Sequence, residues 1–146
     1  MKLQEVIDFV QESLEAGLTE ETEKAAVEQP AELEGYVLKH PFAAYLVLLN
    51  KDDLSDGESA GAVVQRRDIY VSVVIVVRAV NGKMTPAEHI DRVYDMLSGI
   101  RIESPRGDAY MRGVGSKFLQ EENGIWYYEV LIKVPEFFVE KQYRNS

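Results

Sequence analysis

The chain has 146 residues, of which 46% are hydrophobic and 28% are charged, a balance that excludes an intrinsically disordered segment and fits one folded domain. It contains no cysteine, which excludes disulfides, thiol catalysis and cysteine-based metal centres. The net charge of -9 lacks the basic excess that phosphate contacts require, so no specific nucleic-acid binding is expected.

The acidic charge is concentrated near the start of the chain. Residues 1–36 hold ten Asp or Glu against two Lys, whereas residues 37–146 hold fifteen acidic and fourteen basic residues. A run of this kind is typical of a solvated helical face. The acidic first stretch is also unlike an export signal, and the most apolar run is too short for a spanning helix. We therefore expect no membrane contact.

The first predicted element is an amphipathic helix. Apolar residues from Leu3 to Leu18 recur at the three- and four-residue spacing of one helical face. Thr19 is a candidate N-cap for a second, short helix, which Pro30 and Gly35 would interrupt. The start of the chain is therefore predicted to be one helix followed by a second that is less regular.

Two long strands are predicted next. The stretch FAAYLVLLN, ending at Asn50, has the composition of a buried strand, and Gln65 to Val80 has that of a second. Between them, KDDLSDGESAG is predicted to be a flexible polar loop. The second strand is apolar on both faces, whereas a strand with one face in water alternates cleanly. Something is therefore expected to cover both faces.

The last predicted elements are a helix and a hairpin. Thr85 is the expected N-cap, with Pro86 at the first helical position and Glu88 completing a capping box. Asn123-Gly124 is the dipeptide that a two-residue type I′ turn favours, so residues 113–122 and 125–134 are predicted to pair. Pro135 is expected to end that pairing.

The resulting fold class is α+β, with a four-stranded, mostly antiparallel sheet and helices packed on one face, in the order α-(α)-β-β-α-β-β. Residues 1–140 are predicted to form a single domain and residues 141–146 a frayed C-terminal tail. Two helices can cover one sheet face only, so self-association is expected to cover the other. The alternative is that the loops and residues 19–36 fold back over it. The candidate self-association residues on this second face are Tyr70, Val74, Val76, Tyr127 and Leu131.

Residues that could carry chemistry do not form a recognisable set. His40 and His89 lack a second imidazole at metal-ligand spacing, and the acidic residues near Asp53 do not follow the calcium-loop pattern. The tripeptide Arg106-Gly107-Asp108 is interpreted as a turn. No nucleophile, base and orienting group come together in the sequence pattern. We therefore expect no enzyme activity, no cofactor and no metal site.

Four segments carry a resemblance to a known family: HPFAAYLVLLN, RRDIYVSVVIVVRAV, AEHIDRVYDMLSGIR and NGIWYYEVLIKV. With them the chain resembles, over roughly residues 1–140, the small tail proteins of Mu-like prophages, which are similar to bacteriophage tail terminator (tail completion) proteins. The resemblance implies a ring, commonly of six subunits, that caps the tail tube and docks to head-connector proteins. It implies no catalytic residues, and a location in the bacterial cytoplasm during assembly and then in the virion tail.

Two arginines at the start of the long second strand, Arg66 and Arg67, are candidate contacts to an acidic partner. Their other interpretation is solvated charge at a strand end.

The competing function is a monomeric small-ligand-binding or regulatory α+β domain, which would hold an apolar pocket with converging polar groups. The sequence leaves open the ring size, the neighbouring proteins, terminator versus another completion role, which face lines a channel, and whether the 51–62 loop orders on assembly.

Overall fold

The computed structural model describes residues 2–55, 64–103 and 107–139. The helices and strands in chain order are α1 (Leu3–Leu18), β1 (Ala26–Glu28), β2 (Ala43–Leu54), β3 (Val64–Arg78), α2 (Pro86–Leu97), β4 (Arg101–Ile102), β5 (Ala109–Tyr110), β6 (Arg112–Glu122) and β7 (Ile125–Val139). The predicted tail, residue 106 of the predicted turn and most of the predicted loop lie outside the described residues. Among the described residues, no helix is both long and apolar enough to span a bilayer.

A five-stranded mixed sheet in the order β1-β2-β3-β7-β6 forms the body of the fold. β1 runs parallel to β2, and the other neighbouring pairs are antiparallel. β4 and β5 form a separate two-stranded sheet. The α+β class is confirmed, whereas the predicted count of four strands and the predicted element order are corrected.

Both helices pack on one face of the sheet, here called the helix face. The odd-numbered residues of β3 from Ile69 to Val77 point to this face and are buried against α1 and α2. Each helix contributes the apolar side chains of one of its faces to this core, among them Val10, Leu14 and Val93. This arrangement confirms the predicted amphipathic stripes, because the same spacing that predicts a helix also gives it one apolar side.

The predicted second short helix is absent from the described structure. Thr19 is instead the C-cap residue of α1, and its hydroxyl donates to the Ala16 carbonyl. The chain then turns and enters β1, which pairs in register with Ala44 to Leu46 of β2. Parallel pairing to a neighbouring strand satisfies backbone groups that a short, poorly capped helix would leave open.

Two local predictions are confirmed in detail. The Thr85 hydroxyl accepts from the Glu88 backbone N–H, and the Glu88 carboxylate accepts from the Thr85 N–H, which is the capping box. The turn residues Asn123 and Gly124 have φ angles of 53° and 78°, as a type I′ turn requires.

The strand ends differ from prediction. β2 continues past Asn50 to Leu54 through a register shift between Leu49 and Lys51. β7 continues past Pro135, which pairs with Asp68 of β3. Because β6 begins opposite Lys133, Pro135 lies where β7 has no β6 partner, and an edge position tolerates a missing N–H.

Candidate interaction surface

The second sheet face, opposite the helices, divides into two parts with different cover. The part near the β6–β7 turn is covered by the chain itself: Leu33, Tyr36 and Leu38, from the irregular segment before β2, pack against it. Here Val74, Val76 and Tyr127 are only 1%, 0% and 7% exposed. The alternative prediction, that the chain itself folds back over the second face, therefore applies to this part. We call residues 33–38 the strap.

Three of the five predicted self-association residues thus lie beneath the strap and are not presented by the single chain. The other two, Tyr70 and Leu131, are partly exposed at the far part of the same face. There Ser72 pairs with Leu131, and Tyr70 pairs with Lys133, between β3 and β7. We call this part, which the strap does not reach, the open end of the second face.

Charged side chains surround Tyr70 at the open end. The Lys51 ammonium lies 4.9 Å from the centre of the Tyr70 ring. Lys133 Nζ lies 3.5 Å from Asp68 Oδ2, and Arg66 Nε donates to Asp68 Oδ1 at 3.1 Å. The cations are thus paired with a carboxylate or an aromatic ring, and each pair keeps enough exposure for water to screen it.

The two predicted partner-contact arginines point to opposite faces of β3, as consecutive residues of a strand do. Arg66 lies on the open end beside Asp68, whereas Arg67 Nε donates to Asp52 Oδ2 at 2.9 Å on the helix face. The structure therefore does not bring them to one site. Arg66 belongs with Tyr70 and Leu131, and Arg67 belongs with β2.

A pocket of about 490 Å³ lies between the strap and the β6–β7 hairpin. Its lining residues are Leu33, Glu34, Gly35, Tyr36, Leu119, Gln120, Glu122 and Tyr127. The Tyr36 hydroxyl donates to the Glu28 carboxylate, and burial together with that carboxylate raises the pKa of Tyr36. Burial and the nearby Glu122 raise the pKa of Tyr127 as well. We call this the strap pocket.

A buried polar cluster lies beneath the helix face, between α2 and β2. The Tyr45 hydroxyl is 2.6 Å from His89 Nδ1 and accepts hydrogen bonds from Arg92 Nε at 3.0 Å and Nη2 at 2.7 Å. Arg92 Nη1 also donates to the Glu23 carbonyl, and His89 Nε2 lies 3.8 Å from the Glu23 carboxylate. The cluster therefore ties residues that follow α1 to α2 and to the sheet.

The pKa values in this cluster follow from its burial. Burial and the neighbouring Arg92 cation lower the pKa of His89 to about 4, against the opposing effects of Glu23 and Glu88. Burial raises the pKa of Tyr45 to about 12, although Arg92 favours its ionised form. Both groups are therefore neutral near pH 7, and His89 can accept a hydrogen bond from the Tyr45 hydroxyl.

The cluster joins elements inside the fold and does not form an accessible catalytic site. Tyr45 and His89 are each 0% exposed, so a substrate cannot reach them. Within the residues that the structure describes, no three metal-ligating side chains of the His, Cys, Asp or Glu type come together. The structural role predicted for His89 fits this arrangement. Tyr45 and Arg92 were not predicted from the sequence, although a tyrosine inside an apolar strand signals a buried hydroxyl that needs a partner.

Comparison with known proteins gives a family and a structural likeness. A family model described as "Gp37 protein" matches residues 16–146. A chain in the structure "Virion of native gene transfer agent (GTA) particle" aligns with a TM-score of 0.48 and 18% identity, covering 86% of this chain and 92% of that chain. No curated protein matches the sequence.

Proposed function

Because the chain belongs to the Gp37 protein family, we propose that it is a non-enzymatic phage or prophage structural protein, a tail terminator-like ring subunit. In this role it caps the tail tube and docks to neighbouring tail or head-connector proteins. The resemblance of its strand and helix segments to small tail proteins of Mu-like prophages supports the proposal. In this proposal the protein is in the bacterial cytoplasm during assembly and afterwards in the virion tail.

The open end of the second face is the observation that carries the proposal. Tyr70 and Leu131 combine partial exposure with a rim of charged groups that includes Arg66 and Lys133. An aromatic or aliphatic anchor within a polar rim is the usual composition of a protein–protein interface. The surface is small, so several identical contacts would be needed for a stable assembly.

Ring formation also sets the type of contact. In a ring each subunit presents two different surfaces, one to each neighbour, and the contact is heterologous. The open end would be one of these surfaces. We propose six subunits, with the tail tube and the head connector as the partners above and below the ring, and no specific contact with DNA.

Light scattering of the purified protein across a concentration series, alone and with tail tube, tests the proposal. We expect a mass near six subunits in at least one of these conditions. Tyr70→Glu and Leu131→Glu should each shift the mass towards the monomer, because a buried unpaired carboxylate at an interface costs several kcal/mol. Val80→Glu is the matched control, since Val80 is 40% exposed beyond the end of β3, away from the open end and not among the residues that line the strap pocket. A monomer in every condition would refute the ring.

One observation favours a second function, a monomeric domain that binds a small ligand. Arg66 and Arg112 line a pocket of about 240 Å³ at the far end of the sheet, together with Asp108, Tyr110 and other residues. Two guanidinium groups would suit a small carboxylate or phosphate ligand. A monomeric mass together with a higher melting temperature in the presence of phosphate or citrate would favour this function over the ring.

A further inference from the structure

The strap pocket has the volume and the apolar lining to take an aromatic side chain. Leu33 and Tyr36 form one wall, Leu119 and Tyr127 form the other, and the volume of about 490 Å³ exceeds that of any single side chain. Leu33, Tyr36 and Leu119 are only partly buried, so apolar surface remains open to a ligand. Covering such surface contributes favourable free energy in proportion to its area.

The rim of the strap pocket is acidic. Glu34 and Glu122 are exposed at its edge, and the described residues that line the pocket include no lysine, arginine or histidine. The raised pKa values of Tyr36 and Tyr127 reflect nearby carboxylates as well as burial. A suitable occupant therefore carries an aromatic group next to positive charge.

The chain itself contains such a segment. Residues 141–144 read Lys-Gln-Tyr-Arg, which places an aromatic side chain between two cations, and we call them the KQYR segment. The family match extends through residue 146 and so includes this segment. Tyrosine and arginine are the residue types that most often anchor interfaces.

The KQYR segment cannot reach the strap pocket of its own chain. β7 runs without a break from Tyr127, which lines the pocket, to Val139 at the opposite end of the sheet. At roughly 3.3 Å per residue this strand separates the two by about 40 Å. Tyr143 is four residues beyond Val139, and four extended residues span at most about 14 Å. Only a second copy of the chain can bring the segment to the pocket.

We propose that the strap pocket binds the KQYR segment of a neighbouring copy, with Tyr143 between the strap and the hairpin, and Arg144 against Glu34 and Glu122. This inference rests on the proposed ring function and adds its second contact. Pocket and segment lie at opposite ends of one subunit, so the contact is heterologous and each copy gives one segment and receives another.

Charge exchange across the contact tests the proposal in the full-length protein. Arg144→Glu and Glu122→Lys should each weaken association by roughly tenfold, because each places like charges at the same rim. The double variant should recover most of the loss. Glu12→Lys is the matched control, since Glu12 is an exposed carboxylate on α1, away from the pocket, and should leave the mass unchanged. The measurement is the light-scattering mass across a concentration series.

A peptide covering residues 138–146 gives a second readout that does not depend on ring formation. Fluorescein-labelled peptide should bind wild-type protein, and replacement of its tyrosine by alanine should weaken binding by about tenfold or more. The Glu122→Lys protein should bind the peptide more weakly than the Glu12→Lys protein does. Equal binding by these two proteins, or no recovery in the double variant, would overturn the proposal.

The two proposals fail in different ways. If the wild type forms rings and Arg144→Glu, Glu122→Lys and the control all form them equally well, the pocket contact is wrong and the ring function stands. If the wild type stays monomeric with and without tail tube, the ring function is wrong, and any binding of the peptide then has a different purpose.

Discussion

At the residue scale, the surroundings of His89 constrain its charge state. It is buried against Tyr45 and Arg92, with the Glu23 carboxylate 3.8 Å from its second ring nitrogen. Its pKa of about 4 in the folded chain compares with the ordinary value of 6.5 expected when unfolded. Below pH 6.5, His89 is therefore protonated in the unfolded chain, whereas in the folded chain it stays neutral down to about pH 4.

This difference predicts acid sensitivity. The contribution of neutral His89 is complete above pH 6.5 and is lost as the pH falls towards 4, by about 3 kcal/mol at most. Urea unfolding of wild type and His89→Gln between pH 7 and pH 4 measures it. The free energy of unfolding of the wild type should fall more steeply than that of the variant, since the carboxylates titrate in both proteins. Parallel curves would contradict the assignment.

Two glycines make a matched pair at the same scale. A Cβ at Gly113 would lie 2.5 Å from ring carbons of Tyr94 on α2, whereas a Cβ at Gly17 would meet the flexible side chain of Met96 at 2.8 Å. An aromatic ring packed between helix and sheet has less room to move than a methionine thioether. Gly113 is therefore a position where helix and strand approach closely and a side chain has no room. At Gly17 the neighbouring side chain can move aside more easily.

We predict that Gly113→Ala lowers the free energy of unfolding by about 1–3 kcal/mol, as overpacking does. Gly17→Ala should change it by less than about 1 kcal/mol, because the gain in helix propensity offsets the displacement of Met96. Chemical denaturation of the two variants beside the wild type compares them directly. A larger loss at Gly17 than at Gly113 would be inconsistent with the packing described.

At the scale of elements, α2 begins at a site where the local sequence prediction and the structure agree. Thr85 and Glu88 form the reciprocal bonds of the capping box, and Pro86 occupies the first turn. We predict that Thr85→Ala lowers the free energy of unfolding by about 1 kcal/mol, whereas Thr85→Ser, which keeps the hydroxyl, changes it little. Thermal melts followed by circular dichroism provide the measurement, and equal melting temperatures for the two variants would argue against the cap.

Elements with strong local signals are the ones that could be predicted from sequence. The α1 stripe, the capping box and the Asn123-Gly124 turn depend on residues within one or two turns of each other. β1 was missed because a three-residue strand has no periodicity of its own and takes its pairing from β2. The continuation of β7 past Pro135 was missed because it depends on where β6 begins.

At the scale of the whole molecule, the charged rim of the open end makes a salt dependence testable. Arg66, Lys133 and Asp68 are partly exposed, so any contact they make across a subunit interface is screened by ions. Raising the salt from about 0.1 to 1 M shortens the Debye length from about 10 Å to about 3 Å. We predict that the light-scattering mass then falls towards the monomer at a fixed protein concentration. An unchanged or larger mass would show that the assembly depends on apolar contacts alone.

The candidate surface could be predicted only in part. Its sheet face and its partly exposed members, Tyr70 and Leu131, follow from the alternation of β3 and β7. Sequence could not separate them from Val74 and Val76, which lie on the same face and have similar apolar neighbours. The separation comes from the strap, whose Leu38 packs over that face although it lies 38 positions from Val76 in the chain.

By itself, the sequence determined the α+β class, the two amphipathic helices, the turn of the hairpin and the absence of thiol chemistry, because composition, periodicity and turn preference act between near neighbours. Only the tertiary structure decided which residues cover the second sheet face, that β1 joins the sheet, and that Tyr45, His89 and Arg92 form one buried cluster. Each of these depends on contacts between distant positions, and the free energy of such contacts is settled by packing in three dimensions.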